Sequence, residues 1–425
     1  MTPAAPTTHN QQIAFADRCA AAHCRSCAHA GLQPVLDLGR MPLADGLVPE
    51  ARRHEPEARY PLEVAFCPGC SLVQILETVP PEVLFGHDYP YFSSFSDALL
   101  THSRANALEL IESRSLTPNS LVVEIASNDG YLLRNFVEQG IPVLGIDPAP
   151  GPAAAAERVG VPTMNTFFTR DLAERLRDEG KTADVIIANN VLAHVADTNG
   201  FVAGFRTLLK PTGVAVIECP YVRDLIDHNE FDTIYHEHLC YFSVTALDKL
   251  FRRHGLYLND VRRLPIHGGS LRLYVEPVER VGERVRTLLH EERELGLDTH
   301  AYYRGFADRV RAVREKLLGV VAQVKREGKR LAAYGAAAKG AVMLNYAGLD
   351  HTAIEYVVDR NVHKQGRYMP GVGLRIEDPA RLMQDRPDYV LILPWNFKDE
   401  IMHQQQPFRD AGGRFIVPIP EPTVV

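Results

Sequence analysis

Nowhere in the 425 residues does an apolar run approach the roughly 18–20 residues that a bilayer-spanning helix needs, so a helical membrane protein is excluded. The first residues, MTPAAPTTHNQQ, lack a basic head followed by an apolar segment, which makes the cytoplasm the expected address. Basic residues do not predominate. There are 46 Lys and Arg against 53 Asp and Glu, a net charge of −7, and a nucleic-acid partner is disfavoured. Cysteine is sparse: seven residues, an odd number in a long chain with no leader, do not make a disulfide framework. Short-period repeats are absent as well. What remains, with 46% hydrophobic and 23% charged residues, is a soluble globular chain long enough for two to four domains.

Five of the seven cysteines, at 19, 24, 27, 67 and 70, fall in the first 70 residues among Pro and Gly punctuation. Cys24-Arg25-Ser26-Cys27 and Cys67-Pro68-Gly69-Cys70 are two Cys-x-x-Cys turns, each of which converges two sulfurs on one point. Together they supply the four thiolates of a closed, structural zinc site, because a catalytic zinc keeps one position open. Four buried thiols, or a redox-active pair, are the competing readings. Cys19, His23 and His29 lie close enough to compete as ligands, but two complete turns leave them no vacancy. Cys219 and Cys240 read as core thiols.

After a helical pattern at 96–114, short apolar runs alternate with amphipathic stretches: LVVEIA, PVLGID, ADVIIANN and GVAVIEC. That alternation predicts a parallel sheet covered by helices. A charged, helix-periodic tract at 279–327 then packs between domains, and RLAAYGA, AIEYVVD, DYVLILP and RFIVPI begin a second α/β domain. The expected division is a zinc module at 1–80, a cofactor domain at 81–278, and a connector with a closing α/β domain at 279–425.

The run Glu124-Ile125-Ala126-Ser127-Asn128-Asp129-Gly130 leaves an apolar strand through a polar turn, the place where open α/β sheets bind nucleotides. This turn has neither G-x-G-x-x-G nor a Gly-Lys-Ser/Thr phosphate loop, so NAD and ATP are not its obvious ligands. The next strand ends in Asp147, suited to ribose hydroxyls, and the following one in Asn189-Asn190, leading to His194. An acidic turn, a ribose-reading Asp and no phosphate cradle suit S-adenosylmethionine. Glu124 and Asp129 then face its sulfonium and amino-acid end or organise the loop that does. Downstream, Tyr235-His236-Glu237-His238-Leu239-Cys240-Tyr241 is dense in groups that move protons near neutral pH. General-base catalysis is favoured there over a metal site or a satisfied loop, because His-Glu-His is not the helical spacing of a metalloprotease. Tyr89-Pro90-Tyr91-Phe92-Ser93-Ser94 either walls a substrate pocket or seals a packing seam.

The double Cys-x-x-Cys module, VEIASNDGYLL, FDTIYHEHLCYFS, and the closing YGAAAKG, VDRNVHKQGRYMPG and LILPWNF resemble, in one order and over nearly the whole chain, a known family. It is that of the S-adenosylmethionine-dependent C-methyltransferases of nucleotide-linked deoxysugars, of the tetronitrose C-3 methyltransferase type. The resemblance implies a zinc module, a central Rossmann-like methyltransferase domain and a second Rossmann-like α/β domain that helps to hold a dTDP-linked 4-keto-deoxysugar. It also implies removal of the acidic C3 proton and methylation of the enolate carbon, with His238 as base. Tyr235 and Glu237 would orient the base or stabilise the enolate, with His194 and Tyr89 as supporting groups. Tyr91, Lys339 and Lys364 are the expected substrate contacts, the lysines with Arg360, His363 and Arg367 suiting a diphosphate beside the helix start at Gly335–Gly340. One departure stands out: Ala126 replaces the family's usual first glycine, leaving Gly130 to carry the tight approach. An O- or N-methyltransferase on a nucleotide-sugar and a non-catalytic zinc scaffold are the competing functions. C3 or C5 methylation, the sugar substituent and the oligomeric state stay open, the segregated domains being compatible with a monomer.

Overall fold

Every apolar run singled out above becomes a strand in the computed structural model, which describes residues 14–84 and 92–425. Tyr89 and Tyr91 lie outside the described residues. The N-terminal sheet is antiparallel and runs β1 (Gln33–Met41), β2 (Tyr60–Phe66), β3 (Val73–Ile75), with β9 (Cys240–Tyr241) as its fourth strand. That last strand comes from the reactive segment of the middle of the chain, with Val73 opposite Tyr241 and Gln74 opposite Cys240. The N-terminal module is therefore completed by residues far outside 1–80.

The middle sheet is built on β4 (Val122–Ile125), β5 (Val143–Ile146), β6 (Thr163–Met164), β7 (Ala183–Asn189) and β8 (Leu209–Pro220), all parallel. Its order places β4 between β7 and β5, so the chain runs outward one way through β5 and β6 and then restarts on the other side at β7. Such a switch point opens a crevice at the strands' carboxyl ends. Two strands the sequence reading did not anticipate, β10 (Tyr257–Leu264) and β11 (Ser270–Glu276), add an antiparallel hairpin beside β8. The sheet is thus mixed. All seven β11 residues are buried, and charged Arg272 is tolerated there because Glu218 on β8 lies opposite and hydrogen-bonds it at 2.6 Å.

The third sheet joins β12 (Leu331–Tyr334), β13 (Val357–Val358), β14 (Ile376–Glu377), β15 (Tyr389–Ile392) and β16 (Arg414–Val417) in parallel, closed by antiparallel β17 (Thr423–Val424). Between the sheets, Glu283–Leu295 and Phe306–Arg326 are the predicted connector helices. The second buries Phe306, Val310, Val313, Leu317, Val321 and Val324, an apolar stripe at three- and four-residue spacing that rests on β1 and on the helix Ala338–Ala347. The first places Glu292, fully buried, where Tyr221, Thr245 and the Val244 amide all donate to it. A buried carboxylate with that many donors fixes the connector to the middle domain. Among the described residues no helix is long and apolar enough to cross a membrane.

Candidate functional site

The two Cys-x-x-Cys turns face each other. Cys24 and Cys70 sulfurs are 3.5 Å apart, as are those of Cys27 and Cys67, and all four lie within 4.8 Å of one another. Tetrahedral zinc with Zn–S near 2.3 Å spaces its sulfurs by about 3.8 Å, so the cluster fits that ion. Cys19 is buried apart from it, and no second such cluster occurs among the described residues. Burial pushes the Cys19 and Cys219 thiols up to about 12 and Cys240 to about 11, as befits core thiols.

At the carboxyl ends of β4, β5 and β7 lies a cavity of about 500 Å³, walled by Ile125, Ala126, Asn128, Asp147, Asn189 and Asn190. Asp147 is held by two strand-end turns: the Asn128 amide after β4 and the Ala149 amide after β5 each donate to it at 2.8 Å. Glu124, Ser127, Asp129 and Gly130 are buried and form no part of that lining. Neither Glu124 carboxylate oxygen has a hydrogen-bond partner among the described residues, and burial raises its pKa well above the carboxylate range. Asp129 accepts from the Ser94 amide and Asn128 from the Ser93 amide, so the turn organises the Ser93–Ser94 segment against the cavity. Ala126 sits at φ 57° and Asn128 at φ 49°, left-handed values that cost a residue with a Cβ roughly 1–2 kcal/mol. Gly130 also has positive φ, and a Cβ there would meet Ala156 and Val161 at 3.1–3.3 Å. Its tight approach is to a neighbouring helix. A carboxylate at the strand end, uncharged amides and no phosphate-binding lysine fit an adenosine bearing a sulfonium.

A second cavity of about 440 Å³ shares Ser93, Leu99, Asn190 and His194 with the first and draws its walls from all three parts of the chain. Tyr235, Glu237 and His238 line it. His238 Nδ1 lies 2.8 Å from the Thr233 carbonyl, which only accepts, so Nδ1 carries the hydrogen. In the neutral ring Nε2 is then an acceptor, facing the Tyr235 hydroxyl at 3.0 Å. The two rings overlap at 4.0 Å, and the His194 ring meets His238 edge-on at 4.7 Å. His236 turns the other way, donating to the Pro61 carbonyl of β2 at 3.1 Å. Glu237 is also directed elsewhere: it shares its surroundings with Asp45 of the zinc module and Lys364, and burial beside Asp45 pushes its pKa far up.

Burial pushes the His194 imidazole down to about 4, so it is uncharged near neutrality and puts no positive charge beside His238. In the unfolded chain an imidazole titrates near 6.5. As the pH drops from 6.5 toward 4, only the unfolded chain takes up that proton, and stability falls across this window. His194→Gln is expected to lose less melting temperature than the parent between those values; parallel curves would contradict the assignment.

From the C-terminal domain come Lys339, Lys364, Arg360, Asn361 and Asn396. Lys339 Nζ donates to Asn396 Oδ1 at 2.8 Å, lies 4.6 Å over the Trp395 ring and faces the acids Asp232 and Glu230. Much of its capacity is committed inside the protein. Lys364 gives one N–H to the Ala336 carbonyl at 2.8 Å and keeps two more. His363 stacks on Phe92 with centroids 5.6 Å apart. Sequence reasoning assigned no role to Asp45, Glu230, Asp232 or Trp395; Asp232, inside FDTIYHEHLCYFS, and Trp395, inside LILPWNF, lay in motifs that carried a signal.

Three family descriptions match the chain in succession: a zinc binding domain over residues 24–85, a methyltransferase domain over 99–261, and a C-methyltransferase C-terminal domain over 265–420. The C-methyltransferase NovU of Streptomyces niveus is 38% identical over 409 residues, 95% of this chain and 96% of that protein. A ubiquinone biosynthesis O-methyltransferase of Azorhizobium caulinodans is 28% identical, over only 25% of this chain and 43% of its own. Among solved structures, the magnesium protoporphyrin IX methyltransferase of Synechocystis PCC 6803 with bound S-adenosylmethionine covers 42% of this chain and 79% of its own. Its identity is 14% and its TM-score 0.32. With a relative aligned end to end and all three parts matched in order, the chain belongs to the S-adenosylmethionine-dependent C-methyltransferases that carry an N-terminal zinc module.

Proposed function

We propose that the chain deprotonates the carbon beside the ketone of a dTDP-linked 4-keto-deoxysugar and methylates that carbon. The observation that carries this reading is the setting of His238: Nδ1 tied to a carbonyl and Nε2 beside a phenol, in a cavity that abuts the cofactor crevice through Asn190 and His194. Bound S-adenosylmethionine supplies an electrophilic methyl carbon. His238 Nε2 takes the C3 proton, the C–H electron pair becomes the enolate, and that carbon forms the new C–C bond as the methyl–sulfur bond breaks. Tyr235 donates to the developing oxyanion, and the Glu237 side chain, which lines the same cavity, suits a second sugar oxygen. Asp147, Asn128, Asn189 and Asn190 hold the cofactor, while Arg360, Lys364 and the Gly335–Gly340 turn serve the diphosphate.

The test is exchange without transfer. Incubated in D₂O with a dTDP-4-keto-deoxysugar and no methyl donor, the enzyme is expected to place deuterium at C3. With the donor added, labelled methyl should appear on that carbon. Methyl found on oxygen or nitrogen, with no exchange, would establish the heteroatom alternative instead. No transfer at all by the folded, zinc-containing protein would end the proposal.

A further inference from the structure

The reactive loop is gripped from two sides. Its exit, Leu239–Tyr241, pairs with β3 of the zinc module, while its entrance, the single turn Phe231–Thr233, is held by the C-terminal domain. Phe231 meets the Tyr346 ring at 5.2 Å. Trp395 Nε1–H donates to Asp232 Oδ2 at 2.8 Å, with Asp232 fully buried and Trp395 only 8% exposed. The other Asp232 oxygen, Oδ1, has no hydrogen-bond partner among the described residues. The indole is therefore the side chain that hydrogen-bonds this carboxyl, with the Lys339 ammonium facing it through space, and losing the indole removes the bond that fixes its direction.

The residue after Asp232 is Thr233, whose carbonyl receives the His238 Nδ1–H at 2.8 Å. A three-residue turn has little hydrogen bonding of its own: the Thr233 and Ile234 amides reach back to Glu230 and Phe231, and the Thr233 hydroxyl to the Glu230 carbonyl. The direction of the Thr233 carbonyl thus follows how the Asp232 side chain is held. We propose that Trp395 is a positioning residue for His238. By anchoring Asp232 it aims the Thr233 carbonyl, which keeps the hydrogen on Nδ1 and leaves Nε2 as the proton acceptor. The C-terminal domain thereby sets the tautomer of a ring that belongs to the middle of the chain. This rests on the reading of His238 as the base.

Trp395→Phe keeps an aromatic ring beneath Lys339 and deletes the donor together with part of the indole's volume. It is expected to lower kcat by roughly 10- to 100-fold, while KM for the dTDP-sugar and the affinity for S-adenosylhomocysteine stay within about twofold. The ¹⁵N shifts of the His238 ring should move toward the Nε2–H form. Asp232→Ala should match that loss, the double variant should be no slower than either single one, and Asp232→Asn, which keeps an acceptor oxygen for the indole, should recover most of it. Trp395 is the sole tryptophan of the chain, so its fluorescence reads the contact directly in Asp232→Ala even if Trp395→Phe does not fold. An unshifted emission there, or folded Trp395→Phe with parental kcat and imidazole shifts, or a loss confined to KM, overturns the proposal. His238→Asn is assayed alongside. Deuterium exchange surviving in that variant overturns the base assignment and this inference with it, whereas exchange lost in His238→Asn but intact in Trp395→Phe overturns the inference alone.

Discussion

His238→Asn is expected to reduce methyl transfer by roughly 10²- to 10⁴-fold, the range typical of a lost general base, and to abolish deuterium entry at C3. The amide is close to the imidazole in size and still reaches the Thr233 carbonyl, but it offers no basic lone pair where Nε2 faces Tyr235. Cofactor affinity should be preserved, because Asp147, Asn128 and Asn189 lie around the other cavity, which His238 does not line. Calorimetry with S-adenosylhomocysteine checks that half; rapid-quench turnover checks the other. Retained turnover would move the proton acceptor elsewhere in the loop. Tyr235→Phe should be less damaging, since it leaves the ring nitrogen in place and removes one donor to the oxyanion.

Removing zinc, by chelation or by Cys67→Ser, is expected to be nearly as severe, although the metal lies outside both cavities. A structural zinc contributes about 10–16 kcal/mol in small domains, comparable to or above the roughly 5–15 kcal/mol that holds a whole domain folded. The turn Cys67–Cys70 leads straight into β3, and β3 carries β9 and donates its Ile75 amide to the Leu239 carbonyl at 3.0 Å. Arg25, inside the other turn, donates to the Ile75 and Glu77 carbonyls and so clamps the same strand. Loss of the metal should therefore free the exit of the reactive loop. The measurable signs are one zinc per folded chain by metal analysis, new protease cleavage within residues 231–243 after chelation, and a fall in kcat of at least about tenfold with cofactor binding retained. A chelated protein that stays protease-resistant there, with parental kcat, would refute this coupling.

Much of this was readable from the residues. The parallel strands are continuous apolar runs bounded by polar turns, and the paired cysteine turns carry their geometry in their spacing. The density of proton-moving groups singled out the segment 235–241, and the family resemblance picked His238 within it. What escaped depends on partners brought from afar. β9 is two residues long and is a strand only because β3 lies beside it. Lys339 reads as a phosphate ligand at a helix start, yet its ammonium meets Asn396, the Trp395 ring and two acids that topology delivers. Glu237 reads as a carboxylate next to a histidine, and only the fold shows it beside Asp45 and Lys364, its pKa raised by burial. Gly130 reads as room for a ligand and proves to be room for a helix.

The borrowed fourth strand also has a bearing on how the protein is made. From Ile75 to Cys240 the ribosome must add 240 − 75 = 165 residues. Throughout that interval one flank of β3 presents bare amides and carbonyls, the template on which nascent chains pair with strangers. A fragment cut at the apparent end of the cysteine-rich part inherits this open flank permanently and should clump, whereas one extending past Tyr241 carries its own cover.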